Sequence, residues 1–151
     1  MSVPLFVVAE TPALLAGMPY LAPETDWYAL HRDGFRRLVR LHPSDYDPAP
    51  LVAHDFALED LYGGGSPSDP EAEEDRVWEA ARLAALLVAR GEGVLVHCVG
   101  GTGRTGTVLA CALRGLGRPA DDAIEIVRSR RPHWPESAWQ EDAVRRMPEV
   151  P

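Results

Sequence analysis

The sequence contains no lysine; all fifteen of its basic residues are arginine. That absence reflects a compositional bias of the source and excludes little. Other scarcities exclude more. Only two cysteines occur, Cys98 and Cys111, too few for the regularly spaced disulfide framework of a small secreted scaffold. No apolar run is long enough to span a bilayer. The first ten residues, Met-Ser-Val-Pro-Leu-Phe-Val-Val-Ala-Glu, lack a basic segment, and Glu10 interrupts their apolar stretch, so no signal peptide is expected. His31, His42, His54 and His133 show no metal-ligand spacing and read as surface or satisfied polar groups. No segment repeats, and no tail is of low complexity. A reducing, cytoplasmic setting is the expectation.

What is present fits one globular domain over residues 1–151. Hydrophobic residues make up 46% and charged residues 25%, a balance ordinary for a soluble globule. The net charge of −8 disfavours nucleic acid and anionic membrane as partners. Against that acidic background, a local cationic pocket needs a reason. Oligomeric state is not encoded in any pattern.

Hydrophobic periodicity outlines the elements. Leu5 to Ala9 and Arg37 to Leu41 read as strands, and Leu51 to Leu58 as extended. Residues Pro12 to Pro23 read as turns, and the three prolines of His42 to Pro50 as a loop. Asp26 to His31 can form a short helix stopped at Asp33-Gly34. Val77, Ala80, Ala81, Ala84, Leu87 and Val88 recur at helical spacing. That helix has Ser68 or Asp69 as cap and Pro70 in its first turn. Glu71, Glu73, Glu74 and Asp75 then make a solvated acidic helix start. Gly93 to Val96 is a short apolar strand. Helices follow to about Arg114, from about Asp121 to Arg130, and from about Glu136 to Arg146. A helix before and after the 93–97 strand is a βαβ unit, so the expected fold is α/β with a mixed, largely parallel central sheet flanked by helices.

The most informative run is His97-Cys98-Val99-Gly100-Gly101-Thr102-Gly103-Arg104-Thr105-Gly106. It joins the apolar strand to an apolar helix, Thr107 to Leu113. A helix start offers free N–H groups and the positive end of its dipole. Glycines let consecutive N–H groups converge on one anion, and phosphate commonly occupies such nests. Arg104 can add a bidentate fork to two oxygens of that anion. The same field favours a thiolate over a thiol at Cys98. Thr105 can donate its hydroxyl to the sulfur, and His97 can orient the loop through its ring nitrogens. Cys111 falls within the following apolar helix and reads as core.

The run His-Cys-x5-Arg-Thr-Gly resembles the signature loop of the cysteine-based protein tyrosine phosphatase superfamily. Length and layout resemble its small, dual-specificity-like branch. The resemblance implies a three-layer α/β domain and two-step phosphomonoester hydrolysis through a phosphocysteine, with neither metal nor cofactor. It makes Cys98 the nucleophile and Arg104 the phosphate and transition-state clamp. The amides of Val99, Gly100, Gly101, Thr102, Gly103 and Arg104 become the cradle, and Thr105 assists the leaving thiolate in the second step. The implied partner is a phosphorylated protein or a small phosphomonoester.

An alkoxide leaving group needs a proton, and a carboxylic acid on a nearby loop can supply it. The family places an aspartate some 30 to 40 residues before the cysteine. Asp55, Glu59, Asp60 and Asp69 fall within that reach. Asp60 is preferred, since Phe56-Ala57-Leu58-Glu59 precedes it and a glycine-proline loop follows. Arg130-Arg131-Pro132 and Gln140 loosely resemble the family's late Arg-Pro segment and the glutamine that positions the hydrolytic water. An exposed helix glutamine is the plainer reading of Gln140, and Trp134 reads equally as rim or core. Alternatives to protein phosphatase are an inositol-phosphate or phosphoinositide phosphatase, disfavoured because no lysine lies between Cys98 and Arg104, and a phosphoresidue-binding module without turnover. Sulfurtransferase and arsenate-reductase loops differ in length or in position along the chain.

Overall fold

Strand β5 (Gly93–His97) is buried along its whole length, as a parallel strand covered on both faces must be. In the computed structural model, which describes residues 5–18, 25–99 and 102–149, this strand is the centre of a five-stranded sheet. Its neighbours are β2 (Leu15–Met18) and β3 (Phe35–Arg40), both parallel to it. Outside them lie β4 (Val52–Asp55), parallel to β3, and β1 (Phe6–Ala9), antiparallel to β2. The sheet is therefore mixed and largely parallel, as expected. Strand β2 corrects the turn-rich reading of Pro12 to Pro23. Its Leu15-Ala16-Gly17-Met18 core is buried on both faces, so it shows no period-two alternation to betray it.

Successive β5 side chains point to opposite faces. Val94 and Val96 enter one core with Val77, Ala80, Ala84, Val108, Leu109 and Cys111. Leu95 enters a second core with Met18, Leu30, Phe35, Leu38 and Leu51. The first core is covered by α2 (Pro70–Ala89), α3 (Gly103–Gly115), α4 (Ala120–Arg130) and α5 (Ala138–Arg146), the second by α1 (Trp27–Arg32). Three layers result.

Helix boundaries follow local chemistry. Asp69 caps α2 by accepting from the Ala72 N–H, with Pro70 in its first turn. Asp26 caps α1 and Ser137 caps α5 in the same way. One element of the acidic start of α2 departs from the solvated reading. Glu73 is only 2% exposed, and its carboxylate accepts from the Glu59 N–H at 2.7 Å and from Arg76 at 2.8 Å. It anchors a loop on the helix rather than facing water. Among the described residues no helix is long and apolar enough to cross a membrane.

Candidate active site

The site forms where β5 hands over to α3, at the carboxyl ends of the parallel strands. Backbone bonds bring the Asp60 segment there. The Leu41 N–H donates to the His97 carbonyl, and the Leu58 N–H donates to the Leu41 carbonyl. Leu58 and Leu61 are buried on either side of Asp60, so two apolar anchors hold an exposed carboxylate. Asp60 Oδ1 accepts from the Tyr62 N–H at 3.0 Å, an Asx turn that fixes the side chain.

Cys98 is 1% exposed. Thr105, in the first turn of α3, donates its hydroxyl to Cys98 Sγ at 2.9 Å. Arg104 is likewise buried; its Nη1 donates to the Leu58 carbonyl at 3.4 Å and lies 3.4 Å from His42 Nδ1. Its Nη2 stands 3.8 Å from Asp60 Oδ2. Cys98, Arg104 and Asp60 share one pocket of about 140 Å³ with Tyr62, Val99, Gly103 and Glu136. A water's share of liquid volume is about 30 Å³, so the space suits a phosphoryl group and the first atoms of its ester. Gly100 and Gly101 lie outside the described residues.

A family model described as "Polymorphic toxin system, DSP-PTPase phosphatase" matches residues 21–117. The chain belongs to this DSP-PTPase family. It is 33% identical over 103 residues to human protein tyrosine phosphatase type IVA 3, covering 68% of this chain and 58% of that protein. It is 29% identical over 119 residues to the tyrosine-protein phosphatase cdc-14 of Caenorhabditis elegans, covering 77% of this chain and 16% of that one. The chain thus spans less than two thirds of the length of either relative. Among solved structures, the active form of Tk-PTP superposes with a TM-score of 0.71 at 23% identity, covering 93% of this chain and 92% of that one. That likeness bears on the fold alone.

Within this DSP-PTPase frame the four acid candidates separate. Asp55 is engaged by Arg40, which donates to both carboxylate oxygens at 2.6 and 3.0 Å. Glu59 accepts from the Ser68 N–H and, at 2.8 Å, from its hydroxyl, closing the loop over residues 59–68. Asp69 is the cap of α2. Asp60 alone of the four lines the pocket.

His97 faces away from the pocket. Its Nδ1 lies 3.3 Å from the Tyr46 hydroxyl, Tyr46 stacks on Trp27 at 5.8 Å, and the Arg40 guanidinium sits 4.9 Å from the Tyr46 ring centroid. Burial, helped by the charges of His42, Arg104 and Arg40, pushes the His97 imidazole down to about 4. It is neutral at physiological pH and braces the loop from behind. Cys111 is the inert counterpart of Cys98: burial pushes its thiol up to about 12.

Of three residues in the late segment, the sequence singled out Gln140 and Trp134 but not Glu136. Glu136 stands against Gly103 so closely that a Cβ there would meet Glu136 Oε1 at 1.9 Å. Gln140 is 2% exposed, which overturns the exposed-glutamine reading. Its Oε1 accepts from the Glu136 N–H at 2.8 Å, and its Nε2 would stand 2.9 Å from a Gly103 Cβ. It supports the pocket wall from behind. Trp134 is core: it lies against Gly106 and donates to Thr107 Oγ1 at 3.1 Å. The sequence signal for Gln140 was its loose match to the family's glutamine; Glu136 gave none.

Proposed function

We propose that the chain is a cysteine-dependent phosphomonoesterase acting on phosphotyrosyl proteins, with phosphoseryl and phosphothreonyl proteins as further substrates. The supporting observation is the convergence of Cys98, Arg104 and Asp60 on one pocket of about 140 Å³, with Thr105 donating to the sulfur. Arg104 and the amides of residues 99–104 hold the phosphoryl oxygens. The Cys98 thiolate attacks phosphorus; the S–P bond forms as the ester P–O bond breaks. The departing oxygen keeps that electron pair and takes the Asp60 proton. In the second step a water attacks phosphorus and gives its proton to the Asp60 carboxylate. The S–P bond breaks, inorganic phosphate forms, and the Thr105 hydroxyl stabilises the sulfur as a thiolate. Gln140 positions this water indirectly, by holding Glu136.

The rim supports a protein substrate over a polyanionic lipid. Tyr62 is 83% and Val99 55% exposed, giving apolar surface for an aryl ring. Glu136 adds a negative charge, and Arg104 is the only cation among the lining residues. The polymorphic toxin setting in the family's description, and a cytoplasmic location, belong to the same proposal. The test is hydrolysis of an aryl phosphate in the presence of chelator. Turnover is expected from the wild-type chain and none from Cys98→Ser, which should still bind phosphate. Turnover by Cys98→Ser, or a requirement for added metal, overturns the mechanism.

A further inference from the structure

Arg131 lies outside the pocket, yet its side chain ends on the phosphate loop. It follows the last residue of α4, its Cζ lies 5.1 Å from the Phe6 ring centroid, and its Nη2 donates to Thr102 Oγ1 at 2.6 Å. No carboxylate pairs with it among the described residues. Thr102 is the N-cap residue of α3. A threonine there ordinarily accepts, through its hydroxyl oxygen, from the N–H of the second or third helical residue. In α3 those residues are Arg104 and Thr105, at the anion end of the pocket.

Three of the other four described helices use such caps; α4, with Pro119 at its N-cap position, has none. Asp26, Asp69 and Ser137 each accept from their own helix. Thr102 does not: α3 has no side-chain cap, and the Thr102 backbone, at φ −120° and ψ −73°, departs from the extended geometry of a capping residue. The difference lies in Arg131, which holds the hydroxyl.

We propose that Arg131 is a positioning residue that keeps α3 uncapped. By holding Thr102 Oγ1 it stops the loop's own side chain from competing for the α3 amides, and the substrate phosphate becomes the cap. This rests on the reading of the loop as a substrate-phosphate site. It predicts a defect that removal of the competing hydroxyl repairs.

The experiment is a double-mutant cycle on the full chain, with aryl phosphate as substrate and inorganic phosphate as competitive inhibitor. Arg131→Met should raise KM and the phosphate inhibition constant about fivefold, the scale of one lost or gained cap, with a smaller change in kcat. Thr102→Ala is the reference of the cycle, and adding Arg131→Met to it should change KM and the inhibition constant by no more than about twofold. Loss of the Arg131 charge or of its packing on Phe6 would not be repaired by Thr102→Ala. If Arg131→Met does not fold, as judged by circular dichroism, the same reversal is read on Arg131→Lys, which keeps a donor and should show a smaller defect. A double variant as impaired as the single Arg131 variant overturns the proposal, as does an unchanged inhibition constant in both Arg131 variants. A wild-type chain that neither hydrolyses aryl phosphate nor is inhibited by phosphate overturns the functional reading itself.

Discussion

The two sides of the pocket are built in opposite ways. On the nucleophile side, Cys98, Arg104 and Thr105 are all buried, and they are fixed between the central strand and the helix that follows it. On the acid side, the Asp60 carboxylate is 59% exposed, and the chain beyond it runs through Gly63, Gly64 and Gly65, all at positive φ. A Cβ on Gly63 or Gly65 would meet nothing within 4 Å. The nucleophile side must present a sulfur and a guanidinium to one anion with sub-ångström precision, which rigid elements supply. The acid side must admit a substrate and then reach its leaving oxygen, which a loop on two anchors can do. The 3.8 Å gap between Arg104 Nη2 and Asp60 Oδ2 is where the two sides meet.

Breaking the rigid side should have the largest effect. Arg104→Lys keeps the charge but loses the fork, and kcat/KM for an aryl phosphate should fall about 10³-fold, the scale of a lost transition-state donor. The loss should be of similar size for good and poor leaving groups. Asp60→Asn breaks the exposed side and should behave differently. Turnover of an alkyl or peptide phosphate should fall about 10²-fold, the lower range for general acid catalysis, while an activated aryl phosphate loses far less. Steady-state kinetics across leaving groups separates the two patterns. If Asp55→Asn or Asp69→Asn shows the Asp60 pattern instead, the assignment of the acid is wrong.

The same contrast explains what could be read from sequence. The rigid side is local: strand, Cys98, glycine turn, Arg104 and helix are contiguous, so spacing alone exposes them. The acid lies 38 residues before Cys98 in sequence; four carboxylates were within reach, and the residues around Asp60 made it the preferred one. What separates them is tertiary: Arg40 engages Asp55, Ser68 engages Glu59, α2 engages Asp69. The role of Arg131, legible only as part of an Arg-Pro segment, and that of Glu136 were hidden for the same reason, since each acts across 29 or more residues of chain on Thr102 or Gly103. Strand β2 was hidden by burial on both faces, and buried Glu73 by an acidic run that elsewhere does face solvent.

His97 sharpens the comparison through stability. Its imidazole is pushed down to about 4 in the fold, against about 6.5 in an unfolded chain. The fold therefore favours the neutral ring. Stability from this group is complete above about pH 6.5 and is lost as pH falls towards 4, by up to about 3 kcal/mol. Urea denaturation between pH 7 and pH 4 should show that loss, and His97→Gln should flatten it. An unchanged slope in His97→Gln would remove His97 as its source.

Glu136 belongs to neither side and should give the smallest effect. It comes from the loop before α5 and is held by Gln140 rather than by β5 or the Asp60 loop. Its carboxylate lines the pocket that Arg104 serves, so it opposes any anion bound there. A like charge about 5 Å away in a water-like medium costs about 1 kcal/mol. Glu136→Gln keeps the shape against Gly103 and removes that charge, so the inhibition constant for inorganic phosphate should fall about three- to fivefold. Because the pocket opens to solvent, the gain should shrink as salt is raised towards 1 M, where screening acts over about 3 Å. A gain that persists in high salt would mean that the neutral side chain donates to the anion directly. Glu136 would then be a contact residue of the substrate phosphate rather than a charge at its rim.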